Sequence, residues 1–451
     1  MARGPGESRA LCALAQGLDG RRGRWHESRL MPPALESLAS NQESGSLRAG
    51  LEALGAGQAK LIERTLAWSA INSGSRELAG LTQMRAVLSD ALSVLPAATE
   101  VIALPDTTRI TARGDPEAQP HGAALRVRVR PEAPIQVALT GHYDTVFAAS
   151  HPFQTPVLRA DGLLHGPGVA DMKGGIAVML AALEAFETLP AARNLGYSVL
   201  LSPDEEIGSP ASAPLLAKLG ARAHVGMTYE PALADGALVD ARKGSGNFSL
   251  AVHGRAAHVG RAFAAGRNAV AAAAAAALAL DALNGVRDGV TFNVGAIDGG
   301  GPVNIVPDRA VVRFNVRVPG VEDQDWAMDA LGEIVARAGA RGGVVARLDG
   351  GFTRPPKPLN PALARLVSWT RAAGADLGLD LAFGPSGGVC EGNNLAAAGC
   401  AAIDTLGPCG GGLHSDEEFA IAASFAERAK LSLVLLAGFA SGRWDPRALR
   451  A

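Results

Sequence analysis

The stretch Tyr197–Ser209 reads YSVLLSPDEEIGS and joins an apolar run to three consecutive acidic residues. The apolar run has the character of a strand that is buried on both faces of a parallel sheet. Three adjacent carboxylates repel one another, so they either face solvent in a turn or lie close to a group of opposite charge. This stretch therefore raises the question of which residues lie at the ends of the other apolar strands.

Two other apolar runs end in polar residues in the same way. Residues 135–144 read IQVALTGHYD and residues 225–231 read VGMTYEP. Between them, MKGGIAVMLAALEAFETL at 172–189 predicts a helix that follows a glycine-rich turn. Apolar strands that alternate with helices predict an α/β domain with a mostly parallel sheet. Ligands of such sheets bind beyond the carboxyl ends of the strands, where these polar residues lie.

Residues 243–355 predict a unit of a different type. Its elements, in order, are the strand GNFSLAVHG, the helix RNAVAAAAAAALALDAL, the strands VTFNVGAIDGG and RAVVRFNVRV, the helix VEDQDWAMDALGEIVARAG and the strand GGVVARLDG. This β-α-β-β-α-β order is typical of a ferredoxin-like α+β unit. The α/β pattern then returns. We therefore predict a poorly ordered segment at 1–46, an α/β domain in two parts at 47–242 and 356–451, and an inserted domain between them.

The composition argues against several classes of function. The 451 residues include 42 basic and 44 acidic side chains, which gives no electrostatic case for a nucleic-acid partner. The longest apolar run, AVAAAAAAALAL, has about half the length that a membrane span needs. The four cysteines form no CxxC pair, which favours a reducing compartment. We predict a soluble, cytoplasmic protein without a nucleic-acid or membrane partner.

The polar residues at the strand ends form a mixed set of imidazoles and carboxylates. His142 and Asp144 project to the same side of a strand, so the aspartate can orient the imidazole. Zinc and similar metals take such ligands, and two-metal hydrolases hold their ions about 3.5–4 Å apart. Each residue alone could be structural or solvated, but their recurrence favours a metal site. The other members are Asp171, Glu205, Glu206, Glu230 and His414.

The order of the motifs resembles a known family. GHYDT, GVADMKGG, DEEIGS, YEP, GRAAHVG, NIVPD, NVR and GLHSDE are similar in type and order to motifs of the M20 family of dinuclear zinc metallopeptidases and deacylases. The carboxypeptidase G2-like (glutamate carboxypeptidase) branch is the most similar. The resemblance runs from about Leu61 to the C-terminus. It implies a zinc exopeptidase-like catalytic domain and an inserted domain that serves in dimerisation and as a lid.

The resemblance also implies a role for each member of the set. Two Zn²⁺ ions would bind per chain, with Co²⁺ or Mn²⁺ as substitutes, and Asp171 would bridge them. Asp144 would orient His142, and Glu205 would act as general base on the water shared by the ions. The resemblance gives Asp204 no role, and we expect it to be solvated. The remaining ligands would be His142 and Glu230 on one ion and Glu206 and His414 on the other.

Further residues match positions that the family uses around its substrate. His258 in GRAAHVG would reach the active site of a dimer partner and stabilise the oxyanion. Arg317 would pair with a free α-carboxylate, and Asn304 would also contact the substrate. Gly387 and Gly388 would let the backbone approach that carboxylate closely.

The chain departs from the family pattern shortly after these glycines. Many relatives carry an aspartate where this chain has Cys390-Glu391, and a buried, inert thiol is the simpler interpretation of Cys390. In relatives the peptide bond after the bridging aspartate is cis, so a cis bond is expected at Asp171–Met172.

The function that the resemblance implies is zinc-dependent hydrolysis of an amide bond next to a free carboxylate. The substrate would be an N-acyl amino acid or a small peptide with a free C-terminal carboxylate. One alternative is an amino-acid N-deacylase, a deacetylase or desuccinylase, with the same machinery. A catalytically inactive relative that binds such conjugates is less favoured, because Glu205 and every expected ligand are present. The macromolecular partner would be a second copy of the chain.

Overall fold

The computed structural model describes residues 41–340 and 342–450, so most of the predicted segment 1–46 lies outside the described residues. Helix α1 covers Asn41–Ala56 and begins before Leu47, where helical patterning becomes visible in the sequence. Leu47 and Leu54 are buried in the core. The helix extends beyond this apolar face with Glu43 in its first turn, where a carboxylate favours a helix N-terminus. The helix therefore includes residues 41–46, and the domain boundary at residue 46 stays a prediction.

The elements before the inserted unit alternate as the sequence predicts. The helices are α2 (Gln58–Ser69), α3 (Leu78–Leu92), α4 (Lys173–Phe186) and α5 (Ala213–Arg222). The strands are β1 (Thr99–Ile102), β2 (Thr107–Ile110), β3 (Pro116–Gln119), β4 (Ala124–Val129), β5 (Ile135–His142), β6 (Val157–Leu158), β7 (Leu163–His165), β8 (Leu195–Ser202), β9 (Val225–Thr228) and β10 (Leu238–Arg242).

The inserted unit and the closing part of the chain come next along the sequence. The unit contains β11 (Gly244–His253), β12 (Ala257–His258), α6 (Val259–Ala262), α7 (Ala269–Asp281), β13 (Thr291–Gly299), β14 (Ile305–Val306), β15 (Arg309–Val318), α8 (Val321–Gly339) and β16 (Val345–Arg354). The closing part contains α9 (Pro361–Asp376), β17 (Phe383–Ser386), α10 (Glu391–Ala397), β18 (Ala402–Ile403), β19 (Gly410–Gly411), β20 (Phe419–Ile421) and α11 (Ser424–Ala440).

The central sheet combines strands from both sides of the inserted unit. Its order is β1-β4-β8-β5-β9-β18, and the last four of these strands run parallel to one another. β4 pairs antiparallel with β8, and β1 with β4, so the mostly parallel sheet has an antiparallel edge. β5 is buried along its length except at Gln136, which agrees with its continuous apolar sequence. Among the described residues, the helices are all too short or too polar to cross a membrane.

The inserted unit has its own antiparallel sheet, in the order β13-β15-β11-β16. Its main elements follow the β-α-β-β-α-β order that the sequence predicts. The alanine face of α7 is buried against one side of the sheet, where Leu250 and Val312 lie. Small side chains let the helix approach the strands closely, which explains how an alanine-rich helix can contribute to a core.

The two segments that connect the inserted unit to the rest of the chain are paired with each other. The backbones of Arg242 and Lys357 exchange two hydrogen bonds of 2.9 Å. Both side chains donate to the buried carboxylate of Asp404, Arg242 at 2.9 Å through Nε and Nη2 and Lys357 at 2.7 Å. Burial alone would raise the pKa of Asp404, but the two cations lower it to about 2. One carboxylate thus anchors both connections.

A hairpin that the sequence analysis does not predict makes a third connection. β2 and β3 pair antiparallel and project from the α/β part. Ile110 of this hairpin is buried with Ala251 and Val311, which lie on the face of the inserted sheet opposite α7 and α8. Asp115 in the hairpin turn pairs with Arg309 at 2.7 Å. The hairpin therefore packs directly on the inserted unit.

Candidate metal centre

The polar residues that follow the parallel strands meet at one edge of the central sheet. His142, the last residue of β5, pairs in register with Ser202, the last residue of β8. Parallel strands end at the same edge, so the residues beyond them are brought together. His142, Asp171 and Glu206 each place a potential ligand atom within 4.8 Å of the other two.

Asp171 lies between two histidines. Its Oδ1 is 2.9 Å from His142 Nε2, and its Oδ2 is 3.5 Å from His414 Nε2. Glu230 Oε2 is 3.8 Å from His142 Nε2, and Glu206 Oε2 is 3.0 Å from His414 Nε2. The structure thus brings all five candidate ligands together, in two groups that share one carboxylate.

The carboxylates of this cluster repel one another and would be stabilised by a divalent metal ion. Glu230 is buried, and its Oε1 has no hydrogen-bond partner among the described residues. Burial, followed by the charge of Asp171, raises the pKa of Glu230 to about 7. A cation would satisfy the unpaired oxygen and reduce the repulsion between the carboxylates. Two imidazoles and three carboxylates are a ligand set that zinc accepts.

Asp144 connects the histidine to the acidic turn. Its Oδ1 is 3.4 Å from His142 Nδ1. Its carboxylate also accepts the backbone N–H groups of Glu205 and Glu206, at 3.1 and 3.2 Å, and the hydroxyl of Ser75 at 2.7 Å. One buried aspartate therefore orients both a candidate ligand and the turn that carries two further functional candidates.

Asp204 is not solvated, contrary to the expectation from sequence. Its side chain is fully buried, and one carboxylate oxygen accepts the backbone N–H groups of Ala211 and Ser212 at 2.8 and 3.1 Å. The carboxylate satisfies backbone donors just before α5, a role that sequence position alone does not distinguish from exposure. The three acidic residues of the DEE run therefore have three different surroundings.

Glu205 has a cationic partner that the sequence analysis missed. Arg354, the last residue of β16, donates from Nη2 to Glu205 Oε1 at 2.7 Å. The burial of Arg354 alone would lower its pKa, but Glu205 and Glu391 raise it above its usual value. Glu205 thus points towards the inserted unit, while Glu206 points towards His414.

Glu418 supports the loop that carries Asp171 and was also missed. Its carboxylate accepts the backbone N–H groups of Gly168, Ala170 and Asp171 at 3.0, 3.0 and 3.1 Å. Burial raises the pKa of Glu418 to about 7. The expected cis peptide bond at Asp171–Met172 is present at the end of this loop. The only sequence signal for Glu418 is its place in the HSDEE motif, where Glu417 is equally plausible.

A cavity of about 380 Å³ adjoins the cluster and reaches the inserted unit. Arg317 lines it, donating from Nε to Asn315 Oδ1 at 2.9 Å and from Nη1 to the Gly387 carbonyl at 3.4 Å. Burial lowers the pKa of Arg317, and no carboxylate of the described residues opposes this effect. Gly388 lines the same wall, with its N–H bonded to Ser386 Oγ. The cavity thus contains a guanidinium without an acidic partner among the described residues.

His258 and Asn304 lie elsewhere. Neither lines the cavity, and both are exposed on the inserted unit. They are close neighbours, because β12 pairs with β14 and the Val259 N–H donates to the Asn304 carbonyl at 3.0 Å. The Nδ1 atom of His258 accepts the Gly260 N–H. Within the described part of one chain, these two candidates are not brought to the cluster.

The position at which the chain departs from the family pattern is buried. Burial raises the pKa of Cys390 well above its usual value, which agrees with an inert thiol. Its Sγ accepts the N–H of Gly392 at the start of α10. Glu391 points to the other side and accepts the Ser202 hydroxyl, beneath the end of β8. Both residues are therefore buried next to the site and do not line the cavity.

The chain is similar to several known hydrolases along most of its length. Carboxypeptidase G2 of Pseudomonas sp. (strain RS-16) is 28% identical over 314 residues, covering 68% of this chain and 74% of that protein. Succinyl-diaminopimelate desuccinylase of Bordetella petrii is 29% identical over 302 residues, with coverages of 62% and 77%. An M20 family metallo-carboxypeptidase from Sulfolobus solfataricus shares the fold, with a TM-score of 0.64 at 17% identity over 84% of this chain and 99% of that one.

The family model for peptidase family M20/M25/M40 matches residues 138–437, which is well over half of the chain. The match includes the strand ends, the acidic turn and the inserted unit described above. The chain is therefore a hydrolase that belongs to peptidase family M20/M25/M40.

Proposed function

We propose that the chain is a metal-dependent carboxypeptidase-type hydrolase. It would cleave the amide bond next to a free carboxylate, in an N-acyl amino acid or a small peptide. The observation that carries this proposal is the cavity, which is lined both by candidate metal ligands and by Arg317, a guanidinium without an acidic partner among the described residues. A guanidinium in such a place pairs with a carboxylate in two parallel hydrogen bonds.

The proposed cofactors are two Zn²⁺ ions per chain. His142 and Glu230 would hold one, Glu206 and His414 the other, and Asp171 would contact both. When bound, the ions would act as Lewis acids that make water nucleophilic at neutral pH. The shared carboxylate and the unpaired oxygen of Glu230 support this assignment.

The chain's own residues would divide the remaining tasks. Arg317 would fix the carboxylate of the substrate, which places the amide bond beside the acidic turn. Glu205 would accept a proton from the attacking water and deliver it to the departing amine nitrogen. Asp144 would hold His142 and the turn in place through the contacts described above. Gly388 would leave room for the substrate carboxylate next to Arg317.

We also propose that a second copy of the chain completes the site. His258 and Asn304 are adjacent and exposed but lie outside the cavity of their own chain, as expected of residues that serve a partner's site. β13 is an edge strand of the inserted sheet, and Ile297 in it is 51% exposed. In this proposal residues 243–355 form a dimerisation and lid domain, between catalytic parts at 47–242 and 356–451. The cytoplasmic location stays a prediction.

A second candidate function is N-deacylation of amino acids. It is favoured by the similarity to succinyl-diaminopimelate desuccinylase, which covers 77% of that protein. The same cluster, base and guanidinium would serve either reaction, because both hydrolyse an amide bond. The two functions differ in the acyl group, which would occupy the side of the cavity lined by Leu233 and Leu413.

The test is a metal analysis combined with a substrate panel. We expect about two zinc ions per chain. The panel contains dipeptides, N-acetyl amino acids and N-succinyl amino acids, and we expect the release of an amino acid from one of these three groups. Glu205→Gln should retain the metal and lose at least about 10³-fold in kcat, whereas the exposed control Glu417→Gln should not. No zinc after reconstitution would overturn the proposal. Full zinc without turnover of any substrate would favour a conjugate-binding role.

A further inference from the structure

We infer that Arg354 is a positioning residue for Glu205, and that it holds the Glu205 carboxylate away from the candidate metal ligands. The inference rests on the proposed function, in which Glu205 moves the proton. It assigns the orientation of the base to the inserted unit, because Arg354 is the last residue of β16.

The guanidinium of Arg354 is fixed on two sides. Nη2 donates to Glu205 Oε1 and Nη1 donates to Asn394 Oδ1, both at 2.7 Å. Asn394 is itself held, because its amide nitrogen donates to the Thr353 carbonyl at 2.9 Å. The Arg354 side chain is only 1% exposed and that of Glu205 10% exposed, so solvent does little to weaken the pair.

The surroundings of Glu205 explain why it needs such a partner. Its neighbour Glu206 belongs to the group of three residues whose ligand atoms lie within 4.8 Å of one another, whereas Glu205 does not. The two side chains are chemically identical and consecutive in sequence. A glutamate free to rotate beside two dications would turn towards them and become a ligand. A base used in this way would no longer be available to the substrate.

The same sheet also carries the candidate substrate contact, with β11 lying between the two strands concerned. Arg317 lies on β15 and Arg354 at the end of β16, and both line the cavity. The inserted unit would therefore fix the carboxylate of the substrate and the base that acts on it. A rigid link of this kind matters because a displacement of about 1 Å can change a rate by about 10²-fold.

The first test compares three variants of the full-length protein loaded with zinc. Arg354→Ala should lower kcat by about 10²-fold while KM stays within about threefold, and Arg354→Lys should recover part of the loss. Arg313→Ala is the matched control, because Arg313 pairs with Asp298 at 3.0 Å on the same sheet but does not line the cavity. Guanidinium chloride at millimolar concentration should raise the activity of Arg354→Ala, and urea, which has a similar shape but no charge, should not.

The second test does not depend on activity. With Co²⁺ in place of zinc, the visible absorption of Arg354→Ala should differ from that of the wild type, because Glu205 joins the ligands. Adding Glu205→Ala to Arg354→Ala should abolish that difference.

An unchanged cobalt spectrum together with an unchanged kcat would overturn the inference, as would loss of kcat in proportion to lost metal. If neither Arg354 variant folds, Arg354 is a folding residue and the inference is wrong. A wild type that hydrolyses nothing would contradict the proposed function, while the spectrum would still decide this point.

Discussion

The metal cluster and the pair of His258 and Asn304 differ in how much of their geometry one chain supplies. In the cluster, His142 is fully buried and Asp171 is 8% exposed, and each is held by neighbouring strands and loops. His258 and Asn304 are exposed on the inserted unit and lie outside the cavity. The difference teaches that strand ends of one domain can build a metal site alone. In the proposed dimer, by contrast, His258 and Asn304 would serve the substrate from a surface that only a second chain completes.

The largest effect is expected from removing the carboxylate shared by the two groups of ligands. Asp171→Asn should lose both ions and lower kcat/KM by about 10⁴-fold, because an amide is a poor substitute for a bridging carboxylate. Metal content per chain and hydrolysis measured on the same sample would check this. Asp161→Asn, in an exposed turn, is the control. Retention of two ions by Asp171→Asn would break the description of the cluster.

The second prediction concerns His258. His258→Ala should lower kcat by about 10²–10³-fold, as loss of an oxyanion donor does, with the metal content unchanged. Mixing His258→Ala chains with Asp171→Asn chains and allowing exchange should restore about a quarter of the wild-type activity, because half of random dimers are mixed and each has one intact site. A mixture that stays inactive, or a fully active monomer in sedimentation, would show that the two regions do not cooperate between chains.

The third prediction concerns Arg317, which lines the cavity beside the metal cluster. Arg317→Ala should lower kcat/KM by about 10–100-fold, mainly through KM, because a charge-assisted pair with the substrate carboxylate is lost. A substrate whose carboxylate is blocked as an amide should be poor for the wild type and should be little affected by the substitution. Equal losses on both substrates would mean that Arg317 has a structural role instead.

The smallest effect concerns the support beneath the cluster. Burial raises the pKa of Glu391 to about 8, whereas a glutamate in the unfolded chain titrates near 4.3. The folded chain therefore keeps a proton that the unfolded chain has lost. The resulting stability is full below about pH 4 and declines as the pH rises towards 8. In metal-free protein we expect the Tm of Glu391→Gln minus the Tm of the wild type to become larger as the pH rises from 5 to 8. A constant difference would contradict this pKa, and Glu417→Gln serves as the control.

Local patterns predicted much of the fold because the relevant forces act locally. Helix α8 spans Val321–Gly339 as its apolar spacing indicates, and β5 ends at His142, where the apolar run ends. The β2–β3 hairpin was missed, because its strands show no clear alternation, although Gly114-Asp115-Pro116 where they meet is a turn signal. Its register depends on packing against a sheet formed more than a hundred residues later.

The candidate site shows the same division. The five candidate ligands could be named because each follows an apolar strand or a glycine-rich turn. Arg354 and Glu418 act through contacts with residues 149 and about 250 positions away, and no local pattern reports such distances. The burial of Asp204 is not predictable from sequence, because nothing local shows that the N–H groups of Ala211 and Ser212 need an acceptor.

The hairpin also has a mechanical consequence. A domain that is connected to another at two adjacent points can still rotate about the line that joins those points. Arg242 and Lys357 are such adjacent points, since their backbones are paired and both side chains bind Asp404. Ile110 provides a third point away from that line, where it packs against Ala251 and Val311. Any rotation of the inserted unit relative to the α/β part must therefore disrupt this apolar contact. The hairpin thus restricts the rotation.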